Sequence, residues 1–567
     1  MKRLECDLLV IGSGASGLAA AVTAAHQGLK VIVVEKHATF GGASAWSGGW
    51  LWVPGNPLAK RAGIDEDPQQ PRTYLKHELG ARYDAERIDA FLDNAPRMVA
   101  FFEQHTCVKW LDGNAIPDIH GNVPGAALQG HQVIAAPYDA RQMGTLIRRM
   151  RKTLRETSFL GMPIMAGADL AAFLSMTRSF KAFLHVSKRL IRHLRDLAVH
   201  GRAMHLVNGV ALVGRLAKSA VDLGVELIES APARQLIFEQ GRVLGALVDS
   251  PDGPLRIHAS KGVVLAAGGF ANDKARRQAL FPRTFAASDH LALPPEECCG
   301  DGISLGESVG AVLELDVASP AAWAPVSLVR HVDGSSGHFP HIIDRAKPGL
   351  IGVLSTGKRF VNEADGYYDY TAAMVAAAPA DEEVASWLIC DHRFQRRFGL
   401  GHSRPFPLPV GPAVRSGYLQ RADSIQALAK ACGIDPLGLL ETVRDFNTHA
   451  RRGEDPQFGR GSTPYNRKQG DPLITEGNPC VAPIEHAPFY AVKVRPGSFG
   501  TFAGLKTNGH AQVLDRNSAP IAGLYAVGTD MASVMAGFYP SGGINLGPAM
   551  TVGYIAGRHA AGVHDSQ

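Results

Sequence analysis

Hydrophobic positions at the start of the chain come in short continuous runs that a glycine-rich turn separates. Leu8 to Ile11 form the first run, which is the pattern of a strand buried on both faces. Gly12, Gly14 and Gly17 follow in G-x-G-x-x-G spacing, and a helical pattern comes next. The second run, KVIVVE, ends in Glu35. This order predicts a strand, a tight turn, a helix and a second parallel strand.

The pattern of a buried strand that ends in glycine returns twice, far along the chain. KGVVLAAGGFAND covers residues 261–273, and IAGLYAVGTD covers residues 521–530. Between them the periodicity changes. Apolar strands flank a Thr356-Gly357 turn, and residues 421–453 have apolar positions at i, i+3 and i+4. The order of elements predicts an α/β core into which an α+β segment is inserted.

The domain organisation follows if the first and last glycine motifs hold one ligand. The α/β domain is then discontinuous and uses residues 1–280 and 485–567. Residues 281–484 form an inserted domain that caps the ligand, and residues 150–205 form a helical excursion from the first part.

The composition is that of an ordinary globular protein, and it excludes several classes. Of the 567 residues, 46% are hydrophobic and 20% are charged, and a net charge of +5 is too small to indicate a nucleic-acid partner. Cys298 and Cys299 are adjacent, which suits neither an ordinary disulfide nor zinc ligation, so no metal is predicted. No apolar segment reaches the roughly 18 residues of a membrane span. The N-terminus lacks the cleavage site of a signal peptide, so the expected location is the cytoplasm.

Residues 158–206 have a helical and basic pattern that allows two interpretations. A basic amphipathic helix can lie on a membrane surface, which would make the protein peripheral to the inner face of the membrane. The commoner alternative is an exposed helix with a solvated basic face. A lipophilic substrate would favour the first interpretation.

The first glycine motif has a physical reason at each position. Gly12 permits the tight turn, Gly14 lets the backbone approach a pyrophosphate, and Gly17 lets the helix pack on the strand. The helix N-terminus offers free N–H groups to phosphate, and Glu35 stands where a carboxylate can accept the hydroxyls of an adenosine ribose. The unit therefore predicts dinucleotide binding.

The later segments indicate FAD rather than NAD. The stretch GGASAWSGGW, residues 41–50, supplies small residues and hydroxyls that can line a flavin. Together with residues 261–273 and 521–530, it resembles the FAD domain of the fumarate reductase and succinate dehydrogenase flavoprotein superfamily. The resemblance covers nearly the whole chain and implies a Rossmann-like, two-dinucleotide-binding-domain α/β flavoprotein with an inserted α+β substrate-capping domain. The residues expected to contact FAD are Gly12, Ser13, Gly14, Ala15, Ser16, Gly17, Glu35, Lys36, Gly42, Ala43, Ser44, Ser47, Gly48, Gly49, Ala267, Gly268, Gly269, Gly528, Asp530, Asn545, Leu546 and Gly547.

The segment RFVNEADGYYDY identifies a branch of this superfamily. In fumarate reductases the acid that donates the proton is an arginine, which comes shortly after an F-x-N-E strand ending. In this chain tyrosines occupy that place. A tyrosine at that place resembles the FAD-dependent 3-ketosteroid dehydrogenases, whose Δ1 members use it as the proton acceptor. Matching the motif residue by residue puts Tyr367 there. Because Gly366 replaces the family's proline, Tyr368 stays a second candidate.

The loop GFYPSGGINLGPAM resembles the Y-P-G-x-G loop of the same branch. Tyr539 falls on its tyrosine and Gly543 on its glycine, and in the family both bond the C3 carbonyl of the steroid. Ser541 instead resembles the Δ4-(5α)-dehydrogenases, in which a serine beside the tyrosine takes part in chemistry. Ser541 is therefore a third candidate base, and it leaves open where the new double bond forms.

One residue of the Δ1 pattern is missing. The family's further tyrosine, which supports the base, lies in a P-D-Y context, and the corresponding segment IPDIHG has Ile119 in that place. Tyr138, in APYDAR, is the nearest substitute in the sequence.

The resemblance implies FAD-dependent dehydrogenation of a 3-ketosteroid at C1–C2. Tyr539 and the Gly543 N–H would stabilise the enolate, Tyr367 would take the C2 proton, and the C1 hydride would go to flavin N5; the final electron acceptor is unidentified. The alternatives are a Δ4-(5α)-dehydrogenase, an enoate or fumarate-type reductase, and a flavoprotein without substrate chemistry. The reductase would need Arg330, Arg345 or Arg404 to face the flavin.

Overall fold

Strands from both ends of the chain meet in one large sheet. The computed structural model describes residues 1–283, 290–380 and 382–563. Lys2–Ile11 is the central strand and pairs in parallel with Val31–Val34 on one side and with Leu255–Leu265 on the other. Pro520–Ala526 pairs in parallel with Leu255–Leu265, so a late segment completes a sheet that the first residues begin. The remaining strands are Glu226–Ile228, Ala233–Glu239, Arg242–Val248 and Gln512–Leu514.

Close helix packing ties the last helix to the first. Leu546–Ala560 lies against Ala15–His26, and glycines make the approach possible. A Cβ on Gly553 would be 2.4 Å from the Ser16 carbonyl oxygen, and one on Gly557 would be 2.7 Å from that of Ala20. Both distances are shorter than real Cβ contacts, so only glycine fits there.

A second sheet, of seven strands, lies in the middle of the chain. Its long strand is Phe489–Thr501, which pairs with Ala321–Arg330 and with Ser386–Cys390. The other strands are Leu291–Ala292, Ser336–Pro340, Leu350–Val353 and Gln420–Ala422. Phe489–Thr501 thus joins the inserted segment through its pairing, although it lies beyond residue 484. The domain bounds drawn from the sequence stay a prediction.

Short strands and helices fill the remaining parts of the fold. The small sheets contain Trp50–Trp52, Trp110–Asp112 and Gln132–Ala135; Leu313–Glu314 and Gly504–Leu505; and Tyr138–Asp139 and His205–Leu206. The other helices are Pro57–Arg61, Gln69–Leu79, Ala85–His105, Ala168–Ser175, Phe180–His200, Asn208–Asp222, Lys274–Leu280, Asp301–Glu307, Tyr367–Ala377, His392–Arg397, Gly411–Arg415, Ile425–Cys432, Pro436–Ala450 and Pro464–Gln469.

Candidate active site

The first glycine motif forms a turn that is crowded on one side and bare on the other. Gly12 has φ +112°, and a Cβ there would lie 2.2 Å from the Ala266 carbonyl oxygen. A Cβ on Gly17 would lie 2.2 Å from the Gly12 carbonyl oxygen. Gly14 caps the first helix without a side chain, and the nearest atom to a Cβ there is Ser44 Oγ at 3.5 Å. The backbone is therefore accessible at the helix N-terminus, where a pyrophosphate binds in such motifs.

The Glu35 carboxylate is held in place at the end of the second strand. It is buried, and it accepts hydrogen bonds from the Ser13 hydroxyl at 2.5 Å, the Ser13 N–H at 3.2 Å and the His37 N–H at 2.9 Å. Lys36, the next residue, turns away and pairs with Asp301 at 2.8 Å. Glu35 is thus preorganised to receive ribose hydroxyls, whereas Lys36 links the cradle to the helix Asp301–Glu307.

The serine-rich loop folds over the start of the first helix. Ser44 Oγ accepts the Ala15 N–H at 2.9 Å, and the Ser47 hydroxyl donates to the Ser44 carbonyl oxygen at 2.7 Å. Gly42, Ala43 and Gly48 lie on the same loop, and Gly49 is pressed against Asn208, whose carbonyl carbon would be 2.6 Å from a Cβ. The hydroxyls keep the loop beside the bare turn.

The two later glycine segments converge on the same place. Asp530 is buried and accepts the N–H groups of Ala267 at 2.5 Å and Gly269 at 2.9 Å, while its burial raises its pKa to about 6. Gly268 lies between these two donors. A Cβ on Gly528 would be 2.5 Å from Ser16 Oγ, at the N-terminus of the first helix. Glycine-lined strand ends, a bare helix N-terminus and an oriented carboxylate together fit FAD.

Two tyrosines that are distant in sequence form the centre of a second cluster. Tyr367 begins the helix Tyr367–Ala377, and Tyr539 lies in the loop before the last helix. The Tyr367 hydroxyl donates to Tyr539 Oη at 2.7 Å, and Asn545 Nδ2 donates to the same oxygen at 3.2 Å. Because both lone pairs of Tyr539 Oη are used, its own proton is directed to another acceptor.

Burial controls the protonation of both phenols. It raises the pKa of Tyr367 well above 10, and the neighbouring phenols Tyr539 and Tyr465 raise it further. Burial also raises the pKa of Tyr539. Both groups are therefore neutral at pH 7 in the free protein, and Tyr539 is an effective hydrogen-bond donor.

Tyr368 lies next to this pair in a different role. Its ring stacks on that of Tyr539 at 5.9 Å, and its hydroxyl donates to the Gly537 carbonyl oxygen at 2.9 Å. Its proton is committed to the backbone, and its ring fixes the plane of the Tyr539 ring.

Gly543 occupies a position that excludes any side chain. Its φ is +92°, and a Cβ would lie 2.7 Å from Trp52 N. Its carbonyl oxygen accepts the N–H groups of Trp52 at 3.1 Å and Gly547 at 2.9 Å. These bonds anchor the loop and the start of the last helix, which begins at Leu546 after its N-cap Asn545. Within residues 1–283, 290–380 and 382–563, no acceptor takes the Gly543 N–H.

Comparison with known proteins shows the family of the chain. The FAD binding domain family matches residues 7–546. The chain belongs to this family. Within it, the flavoprotein is 34% identical to a 3-oxosteroid 1-dehydrogenase of Mycolicibacterium smegmatis, over 97% of this chain and 96% of the relative. It is also 39% identical to a 4-oxocyclohex-2-ene-1-carboxylate 5-dehydrogenase of Sinomonas cyclohexanicum, over 99% of this chain and 94% of the relative.

A solved structure matches the whole fold. It is a 3-ketosteroid Δ1-dehydrogenase from Sterolibacterium denitrificans in complex with 1,4-androstadiene-3,17-dione, with a TM-score of 0.90 and 32% identity, and the match covers 99% of this chain and 100% of that one. The flavoprotein is thus a member of the FAD-dependent 3-ketosteroid dehydrogenase group and an oxidoreductase that acts on CH–CH groups. The predicted fold class and FAD as the cofactor are confirmed.

Ser541, in the tyrosine loop of the flavoprotein, is fully buried. Gln132 Nε2 donates to Ser541 Oγ at 2.9 Å. Gln132 is the neighbour in sequence of His131, which contacts Asp118. Asp118 is held by the Trp52 indole N–H at 2.9 Å and by His131 at 3.0 Å. His131 contacts a second carboxylate, Glu66, on its other ring nitrogen.

This buried network was missed in the sequence. Burial opposes protonation of His131, but the carboxylates of Asp118 and Glu66 outweigh it and raise its pKa to about 10. Asp118 was visible as the aspartate of the P-D-x segment. Its partners His131, Glu66 and Gln132 lie in other segments, so only the fold brings them together.

Glu363 of the N-E motif anchors the turn that presents Tyr367. It is fully buried and receives Arg359 Nη2 at 2.7 Å and Arg460 Nη1 at 3.2 Å. The Gly352 N–H donates to it at 3.0 Å. Its carboxylate is saturated by these donors, so its role here is to fix the turn.

The other candidates from the sequence lie outside the pair of phenols. The Tyr138 ring packs under the Arg215 guanidinium at 4.5 Å, so it does not take the place of the family's supporting tyrosine. Arg345 donates to the carbonyl oxygens of three residues, His341, Glu363 and Asp365. Arg404 donates to the carbonyl oxygens of Glu156 and Ser158, and Arg330 is exposed at a strand end.

Proposed function

We propose that this flavoprotein dehydrogenates the C1–C2 bond of a 3-ketosteroid. The observation that carries the proposal is the pair of donors at the tyrosine loop. Tyr539 already accepts two hydrogen bonds and so directs its proton outward, and the Gly543 N–H nearby lacks an acceptor within the described ranges. Two converging donors suit a ketone oxygen that becomes an enolate oxygen.

The residues of the chain supply the acid and base parts of this reaction. Tyr539 and the Gly543 N–H would bind the C3 oxygen and stabilise the negative charge that grows on it. Tyr367 would take the adjacent C2 proton, for which it must first lose its own. Bound FAD supplies the two-electron oxidant that accepts a hydride from C1. FAD would be held by the cradle around Gly14, Glu35 and Asp530.

The hydrogen bonds favour Tyr367 as the base over the two alternatives. Tyr367 shares its proton with Tyr539, at the centre of the cluster. The Tyr368 hydroxyl is committed to the Gly537 carbonyl oxygen, and Ser541 is buried and engaged by Gln132. Since Ser541 is the residue that resembles the Δ4-(5α) enzymes, its engagement by Gln132 supports Δ1 chemistry.

A smaller cyclic ketone is the second candidate substrate. The relative at 39% identity is named for a 4-oxocyclohexene carboxylate, which shares the ring ketone and adds a carboxylate. Such a substrate, like fumarate, would need a cation. The nitrogens of Arg345, which lies near enough to lower the pKa of Tyr367, donate to backbone carbonyls. This engagement favours the uncharged steroid and weighs against a reductase of unsaturated carboxylates.

Anaerobic reduction of the bound FAD tests the proposal. Purified protein is mixed in turn with androst-4-ene-3,17-dione, 5α-androstane-3,17-dione and 4-oxocyclohex-2-ene-1-carboxylate, and the flavin absorbance is followed. We expect bleaching with the first compound and a product lighter by two hydrogens at C1 and C2. Bleaching by the 5α compound with a C4–C5 product would move the assignment to Δ4 chemistry. Bleaching by the carboxylate alone would replace the steroid.

We also propose that the helix Phe180–His200 attaches the protein to an anionic membrane surface. Its outward face is apolar: Phe180 is 76% exposed and Ile191 is 69% exposed. The other exposed apolar residues are Phe183, Leu184, Leu194 and Val199. Three exposed cations flank this face, namely Lys181, Lys188 and Arg195.

The inward face of this helix explains why the apolar side chains point outward. His193 and Asp196 are buried, and Asp196, which is the acidic residue of the helix, pairs with Arg141. An apolar stripe beside basic residues fits the boundary between acyl chains and anionic headgroups. Throughout the described ranges no helix is long and apolar enough to cross a bilayer, so the attachment would lie in the plane of the membrane.

Flotation with vesicles tests this attachment. The protein should float with vesicles that contain phosphatidylglycerol, and high salt should weaken the binding. The variant F183S/I191S should stay at the bottom of the gradient. The control Val221→Ser changes an exposed apolar residue on another helix and should float like the wild type. Equal flotation of F183S/I191S and the wild type would contradict the proposal.

A further inference from the structure

The loop between the two proposed ketone-binding donors, Tyr539 and Gly543, is bonded to segments from the first part of the chain. On its tyrosine side, the Pro540 carbonyl oxygen accepts the Tyr74 hydroxyl at 2.6 Å and the Ile119 N–H at 3.1 Å. Adjacent glycines at positions 542 and 543 give the backbone of the loop unusual conformational freedom. The direction in which each donor points therefore depends on contacts with other segments.

Two neighbouring strands fix the glycine side of the same loop. Gln132 Nε2 donates to Ser541 Oγ at 2.9 Å, and the Trp52 N–H donates to the Gly543 carbonyl oxygen at 3.1 Å. Trp52 and Gln132 lie directly opposite each other in the antiparallel pairing of their strands. One cross-strand pair thus holds both Ser541 and Gly543.

The Asp118 carboxylate joins the segments that hold the loop. Its Oδ1 accepts the Trp52 indole N–H at 2.9 Å. Asp118 also directly precedes Ile119, whose N–H bonds the loop. On the other side, Asp118 Oδ2 lies 3.0 Å from Nδ1 of His131, the residue before Gln132. Three of the segments that bond the loop therefore meet at one carboxylate.

Burial makes these contacts of Asp118 rigid. Asp118 is 0% exposed, and its Oδ2 also accepts the Ala127 N–H at 2.9 Å. The buried His131 ring, which is cationic at pH 7, lies between Asp118 and Glu66 and compensates their charge. Hydrogen bonds to a charged group are shorter and stronger than neutral ones, and the dry interior strengthens them further.

We propose that Asp118 is the positioning residue that sets the Tyr539 hydroxyl and the Gly543 N–H to the geometry of the developing enolate oxygen. It acts through Trp52 and Ile119 and need not contact the substrate. Donors that are preorganised where charge develops stabilise the transition state without a cost of reorganisation. A misplacement of about 1 Å can lower the rate about 100-fold. The inference rests on the proposed function.

Asp118→Asn tests this role with two measurements on the FAD-loaded enzyme. The amide keeps the size of the side chain and an acceptor for the Trp52 indole, but its NH2 group then faces the Ala127 N–H and His131, which are themselves donors. Under anaerobic conditions, the rate of flavin reduction by saturating androst-4-ene-3,17-dione should fall about 10- to 100-fold. The second measurement is the C3 carbonyl stretching frequency of 1,4-androstadiene-3,17-dione, labelled with carbon-13 at C3 and bound to the oxidised enzyme. It should rise, because misplaced donors polarise the carbonyl less.

Asp391→Asn is the matched control. Asp391 is 1% exposed and accepts the N–H groups of Phe394 at 3.0 Å and His486 at 3.2 Å, in contacts that do not involve the tyrosine loop. Its replacement should lower the melting temperature and leave both the rate and the carbonyl frequency unchanged. A smaller amount of folded enzyme weakens the infrared signal but does not shift it, so the frequency reports the donors and not the stability.

The outcomes distinguish the two proposals. If the wild type is not reduced by the steroid at any pH, the proposed function fails and the inference fails with it. If the wild type is reduced, and Asp118→Asn keeps the carbonyl frequency and a rate within twofold, the function stands and the role of Asp118 is refuted. A change in only one of the two measurements also refutes it. If Asp118→Asn does not fold, Trp52→Phe, which removes the indole donor to Asp118, is judged by the same two results.

Discussion

Replacing Tyr539 by phenylalanine should separate chemistry from packing. The phenyl ring can keep its contacts with the rings of Tyr367, at 5.0 Å, and Phe502, at 6.0 Å. The hydroxyl is lost, and with it one of the two donors that we assign to the ketone oxygen. Loss of one such donor lowers the rate by about 100- to 1,000-fold. That corresponds to about 3 to 4 kcal/mol of transition-state stabilisation.

The same change has a calculable effect on stability. Tyr539 Oη accepts from Tyr367 and Asn545, so its removal leaves the buried Tyr367 hydroxyl without its acceptor. An unsatisfied buried donor costs about 1 to 3 kcal/mol. We therefore expect a lower melting temperature but a folded protein that still contains FAD.

Stopped-flow reduction under anaerobic conditions, with the FAD content and the melting temperature measured in parallel, provides the assay. Tyr370→Phe is the matched control, because it also removes a buried hydroxyl that makes one hydrogen bond, to Ser386. It should lose stability to a similar degree and keep its rate. A Tyr539→Phe enzyme that reduces within threefold of the wild type would refute the assignment of Tyr539 as the donor. Equal rate losses in both variants would attribute the effect to packing.

Three further predictions follow from single features. Gly12→Ala should purify without FAD, because its Cβ would lie 2.2 Å from the Ala266 carbonyl oxygen. The absorbance of the flavin at about 450 nm measures the FAD content, and a variant that retains FAD would contradict the assignment of this turn to the FAD cradle. In Gly543→Ala the bound FAD should be reduced at least 100-fold more slowly. A Cβ on residue 543 would lie 2.7 Å from Trp52 N, so the loop must shift to make room for it; unchanged kinetics would refute this. The melting temperature should fall as the pH rises from 6.5 towards 10. The pKa of His131 is about 10 here, against an ordinary value of 6.5. The stabilisation from its positive charge is therefore complete below pH 6.5 and is lost as the pH rises through 10. His131→Gln should make the melting temperature depend less on pH.

The FAD cradle could be predicted from the sequence because its signals are local. Gly12, Gly14, Gly17 and Glu35 occur within one strand, turn, helix and strand unit, and the spacing alone constrains them. The tyrosine loop was identifiable through the family motif, and the structure brings Tyr367 to Tyr539 although 172 positions separate them.

The parts that could not be predicted depend on contacts between distant segments. Nothing near Asn545 in sequence indicated that its amide bonds a phenol rather than capping its own helix. The buried Asn466 side chain likewise bonds the turn before Tyr367, about a hundred positions earlier in the chain. Long-range polar pairing of this kind has no periodicity that a sequence could reveal.

The long strand Phe489–Thr501 connects the inserted segment, the proposed base and the FAD cradle through one continuous stretch of backbone. Its first residues pair with Ser386–Cys390 in the second, seven-stranded sheet. Further along, the Phe499 ring packs on the Tyr367 ring at 5.3 Å. At its end, Thr501 Oγ1 would be 2.4 Å from a Cβ on Gly269 in the FAD cradle. A force on the inserted segment is thus transmitted to the base and to the cofactor through continuous backbone. Substrate entry should therefore proceed by local movement of loops rather than by rotation of the whole inserted segment. Grafting that segment from a relative would have to carry this strand with it.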